Sequence, residues 1–225
     1  MPATLSLTDA RAILGDDVLG PDEIAAVFGT AASAARIPFS RDDLAGAARQ
    51  GEMLVWRVTT DGNGAPLTLL YMVERLPEAF DQKLLRQMGY QLKDDWGIER
   101  EPLAATDRCA PGWALVRKEI LDDSRNRTYD QQEVVLQRYA GSVGASAGSV
   151  RRRSGVEAVY DSVLYFAARK TRLLAQSWDW SSSATIDGGY LNVGGFGSSG
   201  LQILSFSRAV RHGGLGVCPT RQGAE

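Results

Sequence analysis

The first part of the chain carries hydrophobic positions at helical spacing, divided by residues that start and stop helices. Thr8 is expected to cap a first helix, Pro21 to open a second and Ser40 to cap a third. Gly29 and Gly51 follow the second and third patterns, where glycine commonly ends a helix. Short helices are therefore predicted over residues 8–14, 21–28 and 40–50.

Two runs rich in β-branched and aromatic residues follow, with a turn between them. Residues 53–60 (MLVWRVTT) and 66–76 (PLTLLYMVERL) are predicted strands, and Asp-Gly-Asn-Gly at 61–64 is a strong hairpin signal. A helix is expected over 77–90, because a proline can start it and apolar residues recur on one face. The charged, turn-rich stretch 93–108 is the best candidate for a domain boundary.

The second half opens with a strand and continues with two helices. A strand is predicted over 111–119, an amphipathic helix over 128–140 and a loop tip over 141–149. Ser154 and Glu157 form an S-x-x-E capping box at the start of the clearest helical pattern in the chain. The buried face of that helix is predicted to hold Val156, Val159, Tyr160, Val163, Leu164 and Ala167. Everything after it is predicted to be strand or loop.

The stretch 178–221 stands apart because glycine, serine and isolated aromatic residues dominate it. Residues 181–216 include no Lys, Glu, Met, Trp or Pro, and Gln202 is their only Gln. Trp178 and Trp180 should share one face of a strand, since they alternate with an aspartate. The positions predicted to be framework are Trp178, Trp180, Val193, Leu201, Ile203, Val217 and Cys218.

Composition limits the functional classes. The chain has 225 residues, 44% of them hydrophobic, which is enough for one large domain or two small ones. A net charge of −2 gives no overall attraction to nucleic acid. No apolar run is long enough to span a membrane and no signal peptide is seen, so a cytoplasmic location is expected. Cys109 and Cys218 are interpreted as reduced, buried residues, and whether they meet in space is left open.

Motifs that suggest chemistry have structural interpretations that fit better. Residues 195–200 match G-x-G-x-x-G, but a predicted strand follows and only 25 residues remain, so a dinucleotide site is rejected. Arg-Arg-Arg at 151–153 is interpreted as a solvated patch, or as one arginine packing inward, in preference to a phosphate site. His212 is expected to be exposed. No catalytic residue, metal site or cofactor is predicted.

Several segments together resemble a known fold. Arg151, Ser154 and Glu157, with the helix AVYDSVLYFAAR, resemble the R-L-P-T-x-x-E helix of the formylglycine-generating-enzyme-like branch of the C-type lectin fold. DWSSS (179–183) resembles its W-T-S-S strand, and LGVCPTR (215–221) its closing G-F-R-V-C strand. More narrowly, the C-terminal half resembles the variable proteins of diversity-generating retroelements. In those proteins a C-terminal repeat is mutated at adenines, and the altered side chains are displayed on the lectin-fold surface.

The resemblance implies an α+β chain with a C-type-lectin-like ligand-binding domain in residues 109–225, whose variable region is about 178–221. Residues 1–108 would supply an N-terminal helical and hairpin elaboration of unknown role, packed on that domain or separate from it. The G-N-V-W-E-W signature and the paired redox cysteines of the oxidases are absent, and so are the calcium-ligand signatures of sugar-binding lectins. Adenine mutagenesis of asparagine codons cannot produce Lys, Glu, Gln, Met or Trp, and residues 181–216 contain only Gln202 from that set.

The leading functional hypothesis is a binding protein with a displayed, diversified surface and a macromolecular ligand, expected to be a protein and not a nucleic acid. Rigid aromatics among Ser, Gly and Asn are typical of antibody-like binding surfaces. The predicted ligand-binding residues are Ala184, Thr185, Ile186, Tyr190, Asn192, Ser198, Phe206, Ser207, Arg208, Arg211 and His212. The alternatives are an enzyme of the formylglycine-generating or sulfoxide-synthase type, and an invariant interaction scaffold.

Overall fold

A computed structural model describes residues 5–30, 36–86, 97–145 and 148–223. Its helices are α1 (Leu7–Leu14), α2 (Pro21–Phe28), α3 (Arg41–Gln50), α4 (Leu69–Arg75), α5 (Pro102–Thr106), α6 (Tyr129–Ser142) and α7 (Gly155–Arg169). Its strands are β1 (Val18–Leu19), β2 (Glu52–Arg57), β3 (Gly112–Arg117), β4 (Val150–Arg152), β5 (Trp178–Ala184), β6 (Tyr190–Gly197), β7 (Gly200–Phe206), β8 (Leu215–Gly216) and β9 (Pro219–Gln222). The chain is a mixed α+β protein, as its sequence predicts.

The strands form two mixed sheets. One has the order β1-β2-β3-β9-β4, and the other has the order β7-β6-β5-β8. Strand β2 pairs antiparallel with β3 over its whole length, so residues on either side of position 108 share one sheet. The sequence left open whether residues 1–108 pack on the C-terminal domain or form a separate one. The shared sheet corresponds to the first arrangement. A division of function at residue 108 stays a prediction.

Local capping signals account for the N-terminal helices. Helix α1 is capped by Ser6 and not by Thr8, because the Ser6 hydroxyl accepts the Asp9 N–H at 3.1 Å and the Asp9 carboxylate accepts the Ser6 N–H. The predicted limits of α2 and α3 are confirmed. Gly29 and Gly51 follow them in the left-handed conformation, with φ of 70° and 67°.

The predicted strand over 66–76 is wrong, because this segment contains helix α4. The Thr68 hydroxyl accepts the Tyr71 N–H at 3.3 Å and caps it, and Leu69 and Met72 are fully buried at helical spacing. A short apolar run fits a buried helix as well as a strand, and tertiary packing decides between them. The predicted turn before it forms and is closed by an antiparallel bridge between Thr60 and Pro66, but it leads into the helix and not into a second strand.

The predicted helix over 77–90 is replaced by two short 3₁₀ turns, Pro77–Ala79 and Leu84–Arg86. Between them the chain adopts extended geometry, because Phe80 forms a parallel bridge with Leu201 and the Asp81 N–H donates to the Leu201 carbonyl at 3.0 Å. This segment therefore lies along the free edge of β7. Residues 87–96, the end of this predicted helix and the start of the predicted boundary, fall outside the described residues.

Helix α7 forms the centre of the molecule. Its capping box is confirmed, since the Ser154 hydroxyl accepts the Glu157 N–H and the Glu157 carboxylate accepts the Ser154 N–H at 2.9 Å. It packs against β5 and β6 on one side and against α2 and α4 on the other. All its residues from Gly155 to Tyr165 are buried, whereas Ala167 of the predicted apolar face is only half-buried. A helix buried on every side belongs to the core of the protein.

Candidate functional site

A buried ion network joins the two sheets through α7. Arg57, at the end of β2, is fully buried and binds both carboxylate oxygens of Asp161, at 3.0 and 2.6 Å. Its third donor contacts Glu157 at 2.9 Å. Burial works against the charged guanidinium, but the two carboxylates outweigh it and raise the pKa of Arg57. A bidentate geometry of this kind is what a buried charge requires.

The network continues from α7 to the other sheet. Arg153, only 1% exposed, lies between Asp161 and Asp179 at 3.1 and 2.8 Å. The other oxygen of Asp179 accepts the Cys218 N–H at 2.7 Å. Burial raises the pKa of Asp179, although Arg153 and this N–H act in the opposite direction. A strand from each sheet is thereby held to α7 by charged groups.

The sequence predicted one arginine at most packing inward from 151–153, but the structure buries two. Besides Arg153, the Arg152 side chain is 4% exposed, donates to the Tyr129 and Trp180 carbonyls at 2.9 Å, and lies 3.9 Å above the Tyr129 ring. The missed signal lies in α7, where Glu157 and Asp161 occur four residues apart in an otherwise apolar helix. Acidic residues at that spacing on a buried face require cationic partners.

The face of β5 and β6 that points away from α7 carries an aromatic cluster. Trp180 is fully buried and meets the edge of Tyr129 at a centroid distance of 5.3 Å. Tyr190 stacks on Tyr129 at 4.2 Å, and the Arg208 guanidinium lies 5.5 and 5.7 Å from these two rings. Trp178 and Phe206 pack at the margins, half-buried. We call this surface the outer face, and its framework tryptophans share it as predicted.

A segment that we call the strap, residues 207–214, crosses the outer face. Because β7 and β8 are the two edge strands, the connection between them must pass over β6 and β5. Val210 packs against the aromatic cluster from the strap. The Arg208 and His212 carbonyls accept the Tyr129 and Asn126 N–H groups at 3.0 and 3.2 Å. The strap is thus docked by one half-buried side chain and a few hydrogen bonds.

The predicted ligand-binding residues fall into three groups. Exposed residues are Ala184, Ile186, Ser198, Ser207, Arg208, Arg211 and His212, and half-buried ones are Tyr190 and Phe206. Thr185 and Asn192 are buried, at 6% and 0% exposure, which corrects the expectation that they are displayed. Thr185 bonds to Ser205 in the turn after β5, and Asn192 lies between Trp180 and Leu204 in the centre of the sheet.

The structure does not bring Ser198 to the others. It lies in the two-residue turn of the β6–β7 hairpin, next to the Gly197–Gly200 pair, whereas the Tyr190–Phe206 pair closes the opposite end. At about 3.3 Å per residue, the two ends are roughly 20–25 Å apart. The same hairpin confirms that 195–200 is no dinucleotide fingerprint, because the glycine pattern joins two strands and no helix follows.

No family model matches the chain, and no curated protein or solved structure is found to be similar to it.

The remaining candidate groups have structural surroundings. His212 is exposed, as predicted; its Nδ1 accepts the Gly214 N–H at 3.0 Å and its ring meets the edge of Trp178. Cys109 and Cys218 are free and buried, and burial raises the pKa of both thiols. Among the described residues there is no group of three or more His, Cys, Asp or Glu that could hold a metal ion. Nor is any described helix both long and apolar enough to cross a membrane.

The outer face also contains polar atoms without partners. Within the described part of the chain, the buried Nε1 atoms of Trp178 and Trp180 and the buried Oδ1 of Asn192 make no hydrogen bond. Each such atom costs about 1–3 kcal/mol relative to a satisfied one. Unsatisfied groups gathered on one face mark a place where a ligand or water would gain hydrogen bonds.

Proposed function

We propose that the protein binds a macromolecular ligand, and specifically another protein, through the exposed margin of the outer face. The observation that carries the proposal is the Tyr129–Tyr190 stack, with Arg208 packed beside both rings at a partly exposed surface. Tyrosine and arginine are the residues that contribute most at protein interfaces, because they bury large areas at a low cost in side-chain entropy.

The side chains around the stack suit such a role. Ala184 and Ile186 lie at the same end of the sheet, and Ile186 is 65% exposed although it is a large hydrophobic residue. Arg211 and His212 extend this surface along the strap with polar groups. An aromatic centre with adaptable polar neighbours resembles a binding surface more than a random piece of protein exterior.

We further propose that this surface varies among copies of the gene, on a C-type-lectin-like scaffold. The resemblance of residues 109–221 to the variable proteins of diversity-generating retroelements supports this. So does exposure, because Ala184, Ile186, Ser207, Arg208 and Arg211 reach solvent from a segment whose strands are largely buried. Sister-strain copies should differ at Ala184, Ile186, Tyr190, Ser207, Arg208 and Arg211 and be constant at Thr185 and Asn192. Differences spread evenly along the chain, or no nearby reverse transcriptase with a template repeat, would contradict the retroelement origin.

Two libraries in the full-length chain would test the binding function directly. The first randomises Ala184, Ile186, Tyr190, Ser207, Arg208 and Arg211, and the matched control randomises the exposed helical residues Asp42, Ala48, Arg49, Val134 and Gln137. Displayed on yeast and selected against one purified folded protein, the first library should yield binders and the control should not. Equal yields from both libraries would mean that the outer face has no special capacity for binding.

A further inference from the structure

The partnerless atoms beneath the strap form a matched pair. Trp180 and Asn192 are both fully buried and stand directly opposite each other on β5 and β6. Residues paired in this way have Cβ atoms roughly 5 Å apart. The Asn192 Nδ2 donates to the Tyr190 carbonyl at 3.5 Å, which leaves Oδ1 as the unpartnered acceptor. The indole nitrogen can only donate, so one spot presents a donor and an acceptor together.

The present occupant of the outer face is itself a peptide segment. Val210 of the strap packs its aliphatic side chain against the aromatic cluster, and no backbone group of the described chain satisfies Trp180 Nε1 or Asn192 Oδ1. The strap is attached by hydrogen bonds to residues 125–129 and to the Trp178 N–H, by Arg208 beside the Tyr129 and Tyr190 rings, and by the ion pair between Arg208 and Asp130, both of whose side chains are largely exposed. Segments with few buried apolar contacts open more readily than the core.

We infer that the outer face beneath the strap is a subsite for a peptide segment of the partner protein. An aliphatic side chain of the partner takes the place of Val210. The carbonyl and the N–H of one neighbouring residue in extended conformation point the same way, so the carbonyl accepts from Trp180 Nε1 and the N–H donates to Asn192 Oδ1. An extended peptide supplies both groups at once, which a carboxylate or an ammonium does not. The inference rests on the proposed function, since it specifies the chemistry of the bound protein.

The test uses the full-length chain with Val210→Gly, which removes the aliphatic plug and so weakens the strap's own hold on the outer face. The probe is an acetylated, amidated peptide with the strap sequence SRAVRHGG, and the control peptide has aspartate in place of valine. The indole N–H resonance of Trp180 should shift saturably with the first peptide and not with the second. In the wild-type chain the same peptide should bind at least tenfold more weakly, because the tethered strap competes at an effective concentration of the order of millimolar.

Adding Asn192→Ala to the Val210→Gly chain should weaken peptide binding at least tenfold, whereas adding Gln137→Ala, on the exposed side of α6, should leave it unchanged. The Trp56 and Trp113 indole resonances report whether each variant is folded, and Asp130→Asn replaces Val210→Gly if the latter is not. The inference would be overturned by the absence of a saturable shift, which would mean that these groups hold water only. Equal binding of both peptides would overturn it as well. This test uses a synthetic peptide and no natural partner. Its failure would therefore not contradict the proposed binding function, which the library selection tests separately.

Discussion

At the scale of single residues, Arg57 shows how a charge is tolerated in the core. Its guanidinium has no exposed surface, yet it contacts three carboxylate oxygens at 3.0 Å or less. The energetic value of such a group lies in the penalty for removing one partner, because the remaining charges stay buried and unpaired. Without Arg57, Asp161 would keep only Arg153 and Glu157 only Arg151 as a cationic partner.

Replacing Arg57 by methionine should therefore destabilise the protein by about 3–5 kcal/mol, since a similar volume is kept but two buried carboxylates each lose one of their two arginine partners. Urea denaturation at pH 7 measures this difference. The matched control is Arg41→Met, because Arg41 forms an exposed ion pair with Asp9, at 64% and 41% side-chain exposure. That change should cost less than about 1 kcal/mol. Similar losses in the two variants would contradict the assigned importance of the network.

Glu157 should make stability depend on pH in a defined direction. Burial alone would raise its pKa, but Arg57 and Arg151 outweigh burial and lower the pKa from 4.5 to about 2. A carboxyl group with a lowered folded pKa stabilises the protein above its unfolded pKa, and that contribution disappears as the pH falls through the folded value. The shift corresponds to a contribution of about 3 kcal/mol at neutral pH.

The stability difference between the wild type and Glu157→Gln should therefore be largest above pH 4.5 and should shrink as the pH falls towards 2. Urea titrations at several pH values between 3 and 7 would measure it. An exposed carboxylate serves as control: Asp22→Asn, with 77% side-chain exposure, should show little change over the same interval. A constant difference at all pH values would show that Glu157 is not held in its charged form by the arginines.

At the scale of elements, glycine determines how Trp178 is seated on the outer face. Gly195 has a φ of +54°, and a Cβ atom built on it would lie 2.7 Å from the Trp178 ring. Both the backbone conformation and the close approach require glycine at this irregular point of the β6–β7 pairing. Close packing against Trp178 thus accounts for part of the glycine-rich composition of this segment, in addition to the proposed display of variable side chains.

Gly195→Ala should destabilise the protein by at least about 1 kcal/mol, through backbone strain and the clash with the indole. Gly197→Ala in the same strand is the control, because its added Cβ would meet nothing closer than 3.7 Å and its φ is not positive. Thermal unfolding and acrylamide quenching of tryptophan fluorescence should both distinguish the variants. Equal behaviour of the two would mean that Trp178 is not clamped as the structure describes.

At the scale of the whole molecule, the two halves of the chain complete one another. Strand β2 pairs with β3 at six positions. Arg57 neutralises two carboxylates of α7 that lie about a hundred residues away in sequence. Without the N-terminal half, β3 would present an open edge and α7 would keep two buried carboxylates short of a partner. We therefore predict that the C-terminal half is not stable alone.

A fragment of residues 109–225 should consequently fail to unfold cooperatively and should expose its aromatic residues to solvent. Circular dichroism during heating and the dispersion of its amide resonances would detect this. The full-length chain is the reference under the same conditions. A fragment with a sharp transition and dispersed resonances would contradict the shared fold and would support an independent C-terminal domain.

The sequence predicts some helices well and others poorly. Helices α2, α3 and α7 are predicted well, because proline, serine caps and C-terminal glycines act within a few residues of the helix ends. The segment around Leu69 and Met72 is predicted wrongly, because its short apolar run has no period that separates a strand from a helix. Packing against buried residues that are distant in sequence determines that this segment forms a helix.

The candidate site divides in the same way. Composition and the alternation of Trp178 and Trp180 are enough to predict a β-rich segment with aromatic framework positions. They cannot show that Val210 of the strap packs on the aromatic cluster, that Ser198 lies at the opposite end of the hairpin, or that Arg153 pairs with Asp161. Those facts depend on sheet order and on contacts between distant residues.

By itself the sequence determined the α+β class and the helices α2, α3 and α7, because the signals that start and stop those helices lie within a few residues of their ends. Only the tertiary structure decided which charges are buried, that both halves share a sheet, and which candidate residues reach solvent. Burial is a property of the assembled layers, and no local pattern contains it.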